Sequence, residues 1–220
     1  MSERAASELH VIEPPARHGF VERGMPALVA PASEWAPEVD ARLARVGTRI
    51  FVVADVFFFA AWFFAFFYLR ALNNNNYWLP PGTTHPTRAI GAAIAALAVI
   101  AAVLCWAGMR VVVSRPATAR LLLWLALSSG VICFVVQIYE FRHLGFDPQL
   151  GGGFPSVFVG LKGVWLFQLV GALLWLTTHI AQVRPNGDAQ IRPVSAATFS
   201  GFMIFLAAIG LVSYLVMYFV

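Results

Sequence analysis

The sequence predicts an all-α integral membrane protein: a bundle of five transmembrane helices, N-terminus inside and C-terminus outside. Three observations point there. Of 220 residues, 60% are hydrophobic and only 12% are charged, against roughly a quarter charged in a soluble domain. The apolar residues fall into five runs, each about the 20 residues needed to cross ~30 Å of hydrocarbon. Those runs are continuous rather than alternating, which implies helices and not barrel strands.

Taken in order, a polar, proline-containing stretch (1–46) comes first and reads as a cytoplasmic tail, leaving 47–220 as the membrane domain. It has no apolar core of a secretory signal, and its acidic residues argue against a transit peptide. The spans follow at 48–71, 88–113, 120–142, 155–183 and 196–220, separated by NNNNYWLPPGTTHPT, SRPAT, LGFDPQLGGG and RPNGDAQIRP, all rich in turn residues. The second span, AIGAAIAALAVIAAVLCWAG, is crowded with small residues and should pack closely against a neighbour, because lipid gives helices no hydrophobic push together. Phe57–Phe59 and Trp62–Phe64 suit a lipid-facing surface.

The formal charge of +4 is not a nucleic-acid footprint: the first 49 residues hold six Arg against seven acidic residues, and most other Arg flank apolar runs. Their bias sets orientation. Arg42, Arg45, Arg49, Arg110, Arg115, Arg120, Arg184 and Arg192 fall on one side, Arg70, Arg88 and Arg142 on the other, which places the N-terminus inside. Residues 73–78 then form an outer loop with aromatics at the interface.

Three ionisable residues lie within spans: Asp55, Glu140 and Lys162. Each costs at least ~2.5 kcal/mol at the centre of a bilayer and is a functional candidate by default. Asp55 sits ~9 Å beyond Arg49, and Lys162 ~10 Å below the outer start of its helix, at 1.5 Å per residue. Those depths leave ~11 Å between them along the normal of a ~30 Å slab, too far for a direct pair. Glu140 and Gln137, three residues apart on one helical face, lie where the Lys162 stem can extend. The expectation is a polar cluster of Gln137, Glu140 and Lys162, and a separate acidic site at Asp55. The competing reading has Glu140 and Lys162 snorkelling to headgroups and Asp55 serving as a hydrogen-bonded packing element.

Cys105 and Cys133 read as buried free thiols. The histidines suggest no haem: His143 and His179 lie near opposite ends of their helices, His10 and His18 in the tail, and His85 in a loop. No catalytic, cofactor-binding or metal-ligating residue stands out, and Gly151–Gly153 is a turn rather than a phosphate cradle.

From Gly47 onward the chain resembles the short, five-helix form of the cytochrome c oxidase subunit III family. ADVFFFAAWFFAFFYLR is similar to its Ser-Glu-x-Met-Phe-Phe helix, with Asp55 on the family glutamate and Tyr68 to Arg70 on the helix end. YWLPPG resembles a Trp-Pro-Pro loop of bacterial members. QIYEFRHL matches Gln-x-x-Glu-Tyr at Gln137 and Glu140, and SVFVGLKGVWLFQLVGALLWL resembles the histidine-bearing fourth helix. Lys162 and Trp165 stand where that helix carries two histidines, and Ile204 and Ala207 replace a polar pair near FMIFLAA, so the chain is a divergent member.

The resemblance implies an accessory subunit of a haem–copper terminal oxidase in the bacterial inner membrane. Such a subunit holds no cofactor; haem and copper belong to its partners, catalytic subunit I with subunit II. It would hold phospholipid in a cleft between helices 1–2 and the rest, with Asp55, Trp62 and Arg70 there or in support of proton uptake. Membership of a respiratory supercomplex stays open. The alternatives are the related accessory subunit of a nitric oxide reductase and an independent small transporter; against the latter, no inverted repeat or broken half-helix pair is visible.

Overall fold

A computed structural model describes residues 37–73, 78–79, 81–82, 84–146, 152–184, 191 and 193–220. Five helices account for nearly all of them, without strands among the described residues: α1 (Pro37–Ala71), α2 (Arg88–Val111), α3 (Pro116–Arg142), α4 (Gly153–Gln182) and α5 (Pro193–Phe219). Each is long and apolar enough to cross a membrane.

All five ends and four of the five starts fall within a few residues of the hydropathy boundaries. The start of α1 does not. This helix begins at Pro37, ahead of the apolar run, and passes without a break through the tail boundary drawn at 46. Proline fits a first helical turn, where its missing N–H is not needed. Hydropathy registers compatibility with lipid, not helix formation, and so misses this polar extension. The rest of the tail, 1–36, lies outside the described residues.

The helices pack in a closed circuit, α1–α4–α3–α2–α5 and back to α1, with α4 also touching α5. Among the described residues α1 and α2 share no packing contact. α1 is paired with α4 and α5 instead.

The small residues of α2 behave as expected. Gly91, Ile94, Ala95, Ala98, Ala101, Ala102, Cys105 and Gly108 recur at helical spacing on one buried face, and α2 lies against α3 and α5. Close approach maximises dispersion contacts, which in lipid must supply what the hydrophobic effect does not. The aromatic surface of α1 is only partly lipid-facing. Phe57 is 72% exposed, but Phe59 is 0% exposed and packs on Phe205. Trp62 is half-buried, its ring lying where a Cβ on Gly160 would stand.

Trp78 also turns inward. It stacks edge-on against Phe66 and Phe154, at 5.0 and 5.7 Å between centroids, and its carbonyl accepts the Phe154 N–H at 2.9 Å. It pins the first loop to the start of α4 rather than anchoring in headgroups. Asn74–Tyr77 lie outside the described residues.

Gly91 is the tightest socket on α2: an added Cβ would stand 2.5 Å from the Tyr218 ring. Gly91→Ala is expected to lower stability by about 1–3 kcal/mol through overpacking. Gly171→Ala, where an added Cβ meets nothing within 4 Å, should be neutral or mildly stabilising. Thermal unfolding of the two purified variants in the same detergent reads the contrast.

Candidate functional site

The polar residues form two sites at different depths. The first is built around the last turn of α3. Gln137 and Glu140 are three residues apart, hence on one helical face, and the Gln137 side-chain amide donates to Glu140 Oε2 at 2.7 Å. The other carboxylate oxygen, Oε1, accepts the Tyr218 hydroxyl from the end of α5 in a short hydrogen bond. Glu140 is only 2% exposed. It does not snorkel.

Lys162 on α4 is equally buried, 2% exposed, and within electrostatic reach of Glu140. The expected cluster of Gln137, Glu140 and Lys162 is therefore present, but not as a direct ion pair. No Lys or Arg nitrogen comes within 4.0 Å of a carboxylate oxygen among the described residues. The ammonium instead lies over the Tyr218 ring at 5.3 Å and near the Trp165 ring at 6.0 Å from its centroid. Tyr218 thus touches both charges, its hydroxyl on the carboxylate and its π-face toward the ammonium, an arrangement aromatic rings favour in low dielectric.

Neighbouring bonds fix the frame. Arg88 Nε donates to the Tyr218 carbonyl at 3.1 Å and its guanidinium stacks over Phe219 at 5.0 Å, tying α2 to α5. Trp165 Nε1 donates to the Leu206 carbonyl at 2.9 Å, tying α4 to α5. From α3, Ser129 and Cys133 donate to the carbonyls of Leu97 and Ile94 on α2.

The second site joins α1 to α4. Asp55 is 7% exposed, and its Oδ1 accepts the Gln168 side-chain amide at 2.7 Å. Its Oδ2 and the Gln168 Oε1 are both buried without a hydrogen-bond partner among the described residues. Gln168 lies six residues, or ~9 Å, below Lys162 along α4, so Asp55 and Lys162 do occupy separate depths. Trp62 reaches the same helix higher up, over Gly160. Arg70 joins neither: it is exposed in the last turn of α1, fifteen residues or ~22 Å from Asp55, where a cation suits the helix C-terminus.

His179, near the end of α4, stacks on Phe199 at 4.8 Å. Its Nδ1–H donates to the Trp175 carbonyl at 3.1 Å and its Nε2 meets the Ser195 hydroxyl at 3.2 Å, closing the α4–α5 corner. His143 is exposed beyond α3 and stacks on Tyr139. Among the described residues no group of three or more His, Cys, Asp and Glu side chains is placed to hold a metal ion.

Sequence reasoning missed Tyr218 and Gln168. Both carried a signal, since each is a polar-tipped residue in an apolar helix at the depth of a carboxylate already singled out. The fold and its two sites define an all-helical protein with five apolar helices of membrane-spanning length, whose submerged polar groups join one helix to another. The chain matches no known protein family and no characterised protein.

Tyr218→Phe removes the donor to Glu140 Oε1 and is expected to cost about 1–3 kcal/mol, the penalty for a buried acceptor left bare. Combined with Glu140→Gln in a double-mutant cycle, it should show a coupling of ~0.5–3 kcal/mol in unfolding free energy. Glu140→Lys, which sets two cations in one buried site, should prevent folded protein from accumulating in membranes. Additive single effects and normal accumulation would contradict the site as described.

Proposed function

We propose that this chain is an accessory, cofactor-free membrane subunit of a respiratory haem–copper terminal oxidase, similar to cytochrome c oxidase subunit III. It is non-catalytic, packs against catalytic subunit I in a complex that includes subunit II, and sustains that subunit's stability, lipid contacts and proton uptake. Haem and copper reside in the partners. The complex lies in a bacterial inner membrane, and the arginine bias favours an inside N-terminus and outside C-terminus.

One observation carries the reading. The polar residues of the resemblance that lie within spans, Asp55 on α1 and Gln137 and Glu140 on α3, are buried, as is Lys162 on α4, where the chain departs from the family. The outer face of α1 adds support. Its aromatic side chains, Phe57 and Phe64 among them, are exposed along a helix that touches only α4 and α5, leaving room for a neighbouring subunit. Intramembrane charges committed to helix–helix contacts suit a scaffold better than a transport path.

The test is co-purification. The tagged full-length chain, extracted from its native membranes in mild detergent, is expected to bring a larger polypeptide with haem absorbance and copper. A colourless preparation holding this chain alone would overturn the proposal.

A further inference from the structure

A groove of about 500 Å³ opens between the C-terminal end of α2 and the N-terminal end of α5, at the end of the bundle remote from Glu140. Trp106, Met109 and Arg110 of α2 form one wall, and Ala197, Gly201 and Ile204 of α5 the other. The α5 wall is low at Ala197 and Gly201, where a Cβ added to Gly201 would meet nothing within 4 Å. From Ala197 to Ile204 the groove follows α5 for ~10 Å.

Arg110 is the charged residue of the lining, with Val112, Val113 and Ile191 beyond it, and its guanidinium stacks over the Trp106 ring at 5.0 Å. Of the described residues that line the groove, none carries a carboxylate. Depth gives this arrangement its meaning. The 24 residues of α2 rise ~36 Å, slightly more than the ~30 Å hydrocarbon core. Arg88 and Arg110, at its two ends, therefore stand at the two headgroup levels. Arg110 therefore stands at the level of lipid phosphates, and from it the apolar walls run along α2 and α5 toward the hydrocarbon.

We propose that this groove binds one membrane phospholipid, its phosphate held by Arg110 and an acyl chain lying between Trp106 and Gly201–Ile204. A guanidinium is suited to phosphate, offering two parallel N–H donors in a fork. The walls beneath offer the dispersion contacts that a straight methylene chain can fill. The proposal rests on the membrane-spanning fold and not on the oxidase reading, so either can fail alone.

The test uses the full-length chain, purified, delipidated and returned to detergent with phosphatidylglycerol, and counts bound lipids by native mass spectrometry. Wild type is expected to retain one more phospholipid than Arg110→Gln, which removes the cation, or Gly201→Leu, which fills the groove. Arg115→Gln, in the turn beyond α2, should retain it. Equal retention by all four overturns the site. Loss in Arg110→Gln alone reduces the effect to surface attraction and overturns the groove; loss in Gly201→Leu alone overturns the phosphate contact. A second measurement needs no destabilising change: a photoreactive phenylalanine analogue in place of Ala197, irradiated in native membranes. A lipid adduct supports the proposal, whereas crosslinking to a polypeptide shows that a partner helix occupies the groove.

Discussion

A polar side chain within hydrocarbon has no water to return to, so its partner must come from the protein itself. That constraint organises this molecule. Asp55, Glu140 and Lys162 are each turned away from lipid, and each engages a helix other than its own. Asp55 holds α1 to α4, Glu140 holds α3 to the end of α5, and Lys162 holds α4 to α5 through the Tyr218 ring. Neutral groups complete the circuit, with Ser129 and Cys133 joining α3 to α2 and Trp165 joining α4 to α5. Apolar side chains pack nearly as well in lipid as against one another, so they choose neighbours weakly. The few polar bonds choose strongly, because the alternative is a bare donor or acceptor in a medium that cannot satisfy it.

Packing and bonding are coupled through glycine. The Tyr218 ring reaches Glu140 only by passing over Gly91, and Trp62 reaches α4 only over Gly160. In both places a missing side chain on one helix is the space into which another helix sends an aromatic ring. A methyl group there would push the ring outward, and at Tyr218 it would break the hydroxyl's bond as well. The small residues of α2 are therefore more than a surface for close approach; one of them is a condition of the polar site.

Much of this was legible in the sequence, and the limits have physical causes. The spans show because hydropathy measures what lipid tolerates, and the small-residue face of α2 shows because its spacing is helical. The division of Asp55 from Gln137 and Glu140 into two depths follows from rise per residue, and their inward turn from the cost of a polar group in lipid. The early start of α1 was hidden because a polar helix outside lipid leaves no hydropathy signal. Reasoning from charges placed Glu140 with Lys162 but ignored the neutral group that joins them. Tyr218 supplies a hydroxyl to one charge and a π-face to the other. Gln168 was missed for the same reason, though it lies at the depth of Asp55. The order of helices around the bundle was not legible, since five similarly apolar spans differ little in which faces they offer.

The two carboxylates are satisfied to different degrees, and this separates their roles. Both oxygens of Glu140 accept hydrogen bonds, from Gln137 and from Tyr218. Its carboxylate is fully bonded and holds α3 to α5, although the Gln137 Oε1 beside it is buried without a partner among the described residues. Asp55 accepts one bond, and its second oxygen and the Gln168 carbonyl face each other's helix with no donor among the described residues. Two buried acceptors beside a single donor amount to a shortfall of about 1–3 kcal/mol for each bare group, in a contact that could have been filled by a second donor or by apolar residues. The shortfall sits on α1, the helix with the most exposed aromatic surface. The Asp55–Gln168 contact therefore holds α1 to α4 through one hydrogen bond, where Glu140 holds α3 to α5 with both carboxylate oxygens bonded.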